Sequence, residues 1–384
     1  MGGGRVGARR RRGRPAAIQE TLFEIDTRPG VRYYRQILDA LGRSDFGRDA
    51  SDVARVVSRL FGSVWAAQDP PRDGSTEESF GLGLVEQARQ RRAPASVTLL
   101  RALAVVAPIR EVREAAESKA DALVAAGLPD PPWAPQLRAE PTGRCWVYED
   151  VFGDMATVIC EYVREPGGTH AILVQVDHAA FSTATGISLT DEVEAVVRDL
   201  QNTAKTNEPM FALRLVDAMW ARAMLERAFA RTDLIEGVVV EPGFAEVRAI
   251  ALEHVRSLPD ASHVVLPEPG PPTPQHCRGV AADFLSDVEG QEIADREGAE
   301  AVATLYVEYA TTYDPADLAR VSPAKWDIFL SDWLPRRGLP DPAHRAALPA
   351  VVRAWSAWAA RRAHMAEPVR EELVRAVEEM LGAS

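Results

Sequence analysis

Between residues 145 and 178 the chain changes period. Three segments, 145–151, 155–163 and 169–178, are rich in Val, Ile, Tyr and Thr, and Gly153-Asp154 and Pro166-Gly167-Gly168 separate them. On either side, apolar residues recur every three or four positions instead. A period of two belongs to a strand and one of 3.6 to a helix. The expected fold is therefore mainly α, of the α+β kind, with helical regions around a small three-stranded antiparallel meander. Ile172, Val174 and Val176 share one face of the third strand. Thr190 then caps a helix over 191–200, whose Val193, Val196, Val197 and Leu200 form a stripe suited to cover the sheet.

Five parts follow along the chain: a disordered basic tail over 1–19, an N-terminal helical region over 20–136, the meander with its helices over 137–263, a proline-rich linker over 264–275 and a C-terminal helical region over 276–384. In the second part, Val53, Val56, Val57, Leu60 and Phe61 recur at helical spacing with Ser51 or Asp52 as cap. Residues 68–79 read as a polar loop. Helices follow over 80–92, where Gly81-Leu-Gly83 reads as a cap, and over 94–106 and 110–126, punctuated by Pro94 and Pro108. Beyond the meander, helices are expected over 209–231 and 243–257. The linker holds five prolines within residues 267–274, which makes it extended and stiff.

The C-terminal part carries the strongest helical signal. Ser322-Pro323 is a cap followed by proline at the first helical position. Trp326, Phe329, Leu330 and Trp333 then fall at i, i+3, i+4 and i+7, and Leu348, Val351, Val352 and Trp355 repeat that spacing. Two such stripes on a short connection belong to one core. Lys325, Asp327, Ser331 and Asp332 fall to the polar remainder of the first helix, with Asp332 and Arg336 set to pair across solvent.

The string Trp326-Asp-Ile-Phe-Leu-Ser-Asp-Trp-Leu-Pro-Arg336, followed by Ala347-Leu-Pro-Ala-Val-Val-Arg-Ala-Trp355, resembles the C-terminal part of a family of uncharacterised actinobacterial proteins. Leu173-Val-Gln-Val-Asp-His178 is similar to their middle part. The resemblance covers residues 80–384. It implies a shared architecture and a high-GC source, and it carries no activity with it.

Composition removes several function classes. Only three of 44 basic residues are lysines, Lys119, Lys205 and Lys325, and none follows a glycine, so the Gly-Lys-Ser/Thr phosphate loop is absent. Gly2-Gly3-Gly4-Arg5-Val6-Gly7 spells a dinucleotide fingerprint without the strand that must precede it. Cys145, Cys160 and Cys277 leave a remainder if two pair, and no two have Cys-x-x-Cys spacing. They read as reduced thiols of a cytoplasmic protein, Cys160 packing mid-strand as a small apolar residue. The best apolar run, 98–109, is shorter than the roughly 18 residues of a membrane helix and contains Arg101, so no membrane is expected as partner. Glu20, Glu24 and Asp26 occupy the place an export signal fills with apolar residues.

No catalytic, cofactor-binding or metal-binding residue stands out. His170 and His178 share a strand face but lie about 26 Å apart at ~3.3 Å per residue, too far to share a metal. Asp177 and His178 point to opposite faces. His276-Cys277 is a ligand pair without further partners. Glu149, Asp150, Asp154 and Asp177 cluster around the meander and would meet at one sheet end.

The sharpest local motif is Arg12-Gly13-Arg14-Pro15, which resembles an AT-hook core. Glycine there lets an extended backbone enter a narrow minor groove whose negative potential attracts arginine. The net charge is −12, and the six arginines of residues 1–19 carry +6 with no acid, which leaves −18 on residues 20–384. The functional expectation is a non-catalytic cytoplasmic regulatory or interaction protein with protein partners. It would contact nucleic acid through its basic arm, residues 5–15, at Arg11, Arg12, Gly13 and Arg14. The alternative is a hydrolase-like enzyme built on the carboxylates around the meander.

Overall fold

The computed structural model describes residues 31–43, 49–164, 168–268, 270–288, 293, 295–337 and 342–382. Among the described residues 62% are helical and one five-stranded antiparallel sheet is present, so the α+β class with helix predominant holds. The chain divides into two compact units, one of residues 1–68, 72–138 and 245–253, the other of 69–71, 139–244 and 254–384.

The first unit contains α1 (Val31–Arg43), α2 (Ala50–Ala66), α3 (Ser75–Arg91), α4 (Pro94–Val106) and α5 (Arg110–Ala125). Pro94 opens α4, whose Val97, Leu99, Leu100, Ala102 and Leu103 are all without exposure. A helix apolar on every side must be central. Arg101 escapes from it to Asp121 and Asp130 at 2.8 and 2.7 Å. The cap of α2 is Asp49, whose carboxylate accepts from Ser51 N at 2.6 Å, in place of Ser51 or Asp52. Gly81 and Gly83 are not a cap: they lie inside α3, where Val112 and the Tyr34 ring fill the space of a Cβ, and Gly74 with φ of 81° caps that helix instead. The expected loop 68–79 accordingly ends at Ser75.

The second unit begins with β1 (Glu140–Asp150), β2 (Met155–Arg164), β3 (Gly168–Asp177) and β4 (Thr183–Thr190), continues through α6 (Val193–Thr206), β5 (Phe211–Val216) and α7 (Ala218–Leu234), and ends in a helical group; of α8 (Phe244–Ser257), residues 245–253 belong to the first unit and the rest to the second. The strand order is β4-β3-β2-β1-β5, all antiparallel neighbours. The expected meander is β1–β3, and two strands lie outside it. β4, TATGISLT, alternates only over its last four residues, too short a run to reveal it. β5 was absorbed into the helix expected over 209–231. Asp217 divides that run: its carboxylate accepts from Met219 N and Trp220 N, so α7 starts only at Ala218, and Phe211–Val216 pair with β1. The stripe on α6 does cover the sheet, with Val193, Val197 and Leu200 on Trp146, Ile159 and Ala171. The opposite sheet face carries Cys145, Val147, Val158, Cys160, Tyr162, Ile172, Val174 and Val176, all buried.

The helical group comprises α9 (Pro274–Val288), α10 (Arg296–Tyr313), α11 (Pro323–Asp327), a π-helical segment (Ile328–Trp333), α12 (Leu334–Arg337), α13 (Pro342–Arg362) and α14 (Glu367–Gly382). The two tryptophan stripes share one core, and Tyr306 of α10 joins them. Its ring centroid is 4.5 Å from Trp326, 5.3 Å from Phe329 and 4.9 Å from Trp355. Trp326 Nε1 donates to Ser356 Oγ at 2.9 Å, satisfying the one polar atom of a fully buried ring. The wide π turn, with i→i+5 bonds, moves the following residues around the axis. Leu334 is buried, and Trp333 is only half-buried against Phe329 and Tyr309. Among the described residues, no helix is long and apolar enough to cross a membrane.

Candidate functional site

Two hairpin loops, β1–β2 and β3–β4, lie at the same end of the sheet. Asp150 closes the first, its carboxylate accepting from Asp154 N and Met155 N, the latter at 2.6 Å, around Gly153 at φ of 70°. The second, residues 178–182, is strained: Phe181 and Ser182 adopt φ of 66° and 55°, a region side chains with a Cβ rarely enter. His178 N donates to Asp154 O at 2.6 Å and ties the two loops together. Phe152 packs into the aromatic core of the helical group, and the Phe181 ring lies 4.6 Å from Tyr313.

Across these loops runs a chain of alternating charges. Arg320 donates to Phe152 O and sits 3.3 Å from Asp154 Oδ1, and its Nε donates to Asp314 Oδ2 at 2.5 Å. The same Asp314 oxygen lies 2.9 Å from Lys325 Nζ. Tyr306 Oη donates to Arg320 O at 2.7 Å, and Ser322 Oγ caps α11 by accepting from Lys325 N at 3.1 Å. Lys325 is 1% exposed, so its expected place on the polar face is corrected: a partner before the helix, Asp314, takes its charge inward.

The electrostatics follow from burial and sequence of charges. Burial pulls the Lys325 ammonium below its ordinary value, opposed by Asp314. Burial pushes Asp314 up, but Lys325 and Arg320 outweigh it and hold the carboxyl below its usual value. Asp154 is raised by burial. His178 is lowered by burial, with Arg227 and Arg320 adding to the effect, and its Nδ1 is 2.9 Å from Ser182 Oγ. Both are half-buried.

The four carboxylates expected at one sheet end do gather there, and each has a bond. Glu149 meets Arg214 at 2.9 Å, Asp150 closes its turn, Asp154 faces Arg320, and Asp177 Oδ1 accepts from Ala180 N at 2.9 Å. His170 finds its partner 84 residues away, its Nε2 lying 2.8 Å from His254 Nε2. Cys277 is half-buried, its Sγ 3.7 Å from Thr311 Oγ1. Among the described residues no three His, Cys, Asp or Glu side chains are placed to hold a metal ion. Arg11, Arg12, Gly13 and Arg14 lie outside the described residues.

Sequence reasoning missed Asp314, Arg320 and Lys325. One signal for the last was present. In a chain whose basic residues are almost all arginine, a lysine is the exception, and Lys325 is one of three. Comparison with protein-family models, curated proteins and solved structures returns no match to this chain.

Proposed function

We propose that the chain is a non-catalytic cytoplasmic regulatory or interaction protein that contacts nucleic acid through Arg11, Arg12, Gly13 and Arg14. The observation that supports the non-catalytic reading is the pairing at the sheet end. Asp154, Arg320, Asp314 and Lys325 alternate in sign and neutralise one another. General acid–base catalysis needs a group free to take a proton and return it. Here the acids are held by cations or by turn amides, and the arrangement fastens two hairpin loops to the helical group. The basic arm is left as the part with an evident ligand, because a body of −18 repels a polyanion while an arm of +6 attracts it.

The test is fluorescence anisotropy of an A/T-rich duplex with the full chain at low salt. The double variant Arg12→Ala, Arg14→Ala is expected to lose binding. Absence of binding by the unaltered chain ends the nucleic-acid reading, and unchanged affinity in the double variant places the contact elsewhere.

A second reading, hydrolytic, is favoured by one contact, Ser182 Oγ against His178 Nδ1 on a strained loop. An activated serine reacts with a fluorophosphonate probe. The non-catalytic reading expects no labelling that disappears in Ser182→Ala, and such labelling would replace it with the hydrolase.

A further inference from the structure

Cys145 and Cys160 are 15 positions apart in sequence and directly opposite one another in the sheet, as partners in the β1–β2 register. Both are free thiols, 1% and 0% exposed, on the face that also carries Val147, Val158 and Tyr162. Opposed residues of antiparallel strands have Cα atoms about 4.5–5.5 Å apart, inside the roughly 4.4–6.8 Å that a disulfide spans. The side chains are near enough to hydrogen-bond to each other. The third thiol, Cys277, is apart from them, lying against Thr311 in the helical group.

The surroundings differ on the two sides of the pair. The β1–β2 register shifts between Pro141 and Cys145, and the residues of that irregularity, Thr142, Gly143 and Arg144, are exposed. Gly143 turns there with φ of 84°. Bulges locally open a ladder, so Cys145 adjoins an exposed, irregular stretch of β1, while Cys160 lies in β2, the central strand, with β1 and β3 on either side. The hydrogen bond to Cys145, and then burial, hold the Cys160 thiol well above its ordinary value, which suits it to react second, as a thiol.

We propose that Cys145 and Cys160 form a peroxide-responsive redox pair that closes to a cross-strand disulfide between β1 and β2. The Cys145 sulfur gives up its proton and attacks one oxygen of hydrogen peroxide; the O–O bond breaks, the hydroxide that leaves takes up that proton as water, and Cys145 becomes a sulfenic acid. The Cys160 sulfur then attacks the Cys145 sulfur; the S–O bond breaks and the hydroxyl leaves as water with the Cys160 proton. Two thiols are oxidised to one disulfide and one peroxide is reduced to two waters. Peroxide is the fitting oxidant because a buried pair admits a small molecule and excludes a bulky disulfide. A pair of this kind in a reducing compartment is transient and sensing rather than structural.

The experiment uses the full chain carrying Cys277→Ser, which removes the intermolecular route. The folded protein is treated with stoichiometric hydrogen peroxide, unfolded in the presence of N-ethylmaleimide and weighed intact. The expected result is loss of both maleimide additions, a mass lower by two hydrogens, one cross-linked peptide joining residues 145 and 160, and full reversal by dithiothreitol. With Cys160→Ala in addition, dimedone is expected to trap a sulfenic acid on Cys145. Circular dichroism confirms that each variant is folded. Two maleimide additions on the treated folded protein, when the same chain forms the disulfide after unfolding in urea, overturn the proposal. So does oxidation that proceeds to a sulfinic acid on either cysteine without the cross-link.

Discussion

Lys325 and Asp314 show what a buried charge demands of its neighbours. An ammonium that is 1% exposed has lost its water, and Asp314 at 2.9 Å replaces it. Removing one member of a buried pair typically costs about 3–5 kcal/mol, because the other is left uncompensated. Asp314→Asn strands Lys325 and is expected to cost that much in urea unfolding. Lys325→Met is the milder change, since Asp314 keeps Arg320 and the thioether suits the apolar site. Equal losses from the two variants would show that the ammonium, not its burial, carries the stability. His178 gives a pH dependence of definite sign. Its folded value is lowered from 6.5, by burial first and then by Arg227 and Arg320. Below 6.5 the unfolded chain binds the proton more readily than the folded one, so stability falls as pH drops through that value toward the lower folded one. His178→Gln is expected to flatten that part of the stability profile, and an unchanged slope refutes the assignment. The rarity of lysine singled out Lys325, but nothing in the sequence named its partner, and nothing marked His178. A helical period reports only which face of its own helix a residue occupies, and the charges that act on Lys325 and His178 (Asp314 on the one, Arg227 and Arg320 on the other) come from other segments.

At the scale of elements, the π-helical segment decides which tryptophan is core. The 3.6-residue period places Trp326 and Trp333 on one stripe, and the wide turn over Ile328–Trp333 breaks that equivalence. Trp326 is fully buried with its indole N–H bonded, so Trp326→Ala is expected to cost about 3–5 kcal/mol. Trp333 is half-buried, and Trp333→Ala is expected to cost about half as much. Thermal unfolding of the two variants checks the order, and a larger loss at Trp333 means that the helix keeps an α period. The same contrast between local and distant information governed the strands. β2 and β3 were legible because β-branched residues and Gly-Asp or Pro-Gly-Gly turns mark them locally. β5 was not, because FALRLV has apolar residues compatible with either period and is a strand only through its pairing with β1. Its one local marker was Asp217, a helix cap in the middle of what read as a helix. At the candidate site, the gathering of Glu149, Asp150, Asp154 and Asp177 followed from strand ends, but the neutralisation of Glu149 by Arg214 and of Asp154 by Arg320 depends on chain 65 and 166 residues away.

For the whole molecule, the separation of charge fixes how nucleic-acid binding must respond to salt. Each phosphate neutralised releases condensed counterions, and log K falls against log salt by about 0.9 per phosphate on duplex DNA. Residues 1–19 offer six arginines. If all six meet phosphates the slope is about −5; if Arg12 and Arg14 lie along the minor-groove floor and four remain, it is nearer −4. The acidic remainder of the chain adds no counterion release and repels the duplex at low salt. Anisotropy measured between roughly 50 and 200 mM salt is therefore expected to give a slope between about −3 and −5. The double variant Arg12→Ala, Arg14→Ala should weaken binding to A/T-rich duplex more than to G/C-rich duplex, because the wide G/C groove holds less negative potential for those two side chains. A slope steeper than about −6 would require cations beyond the arm, and the acidic body would then have to present a basic face of its own. A slope near zero would mean that the arm does not bind phosphate, and the proposed nucleic-acid contact would be lost with it.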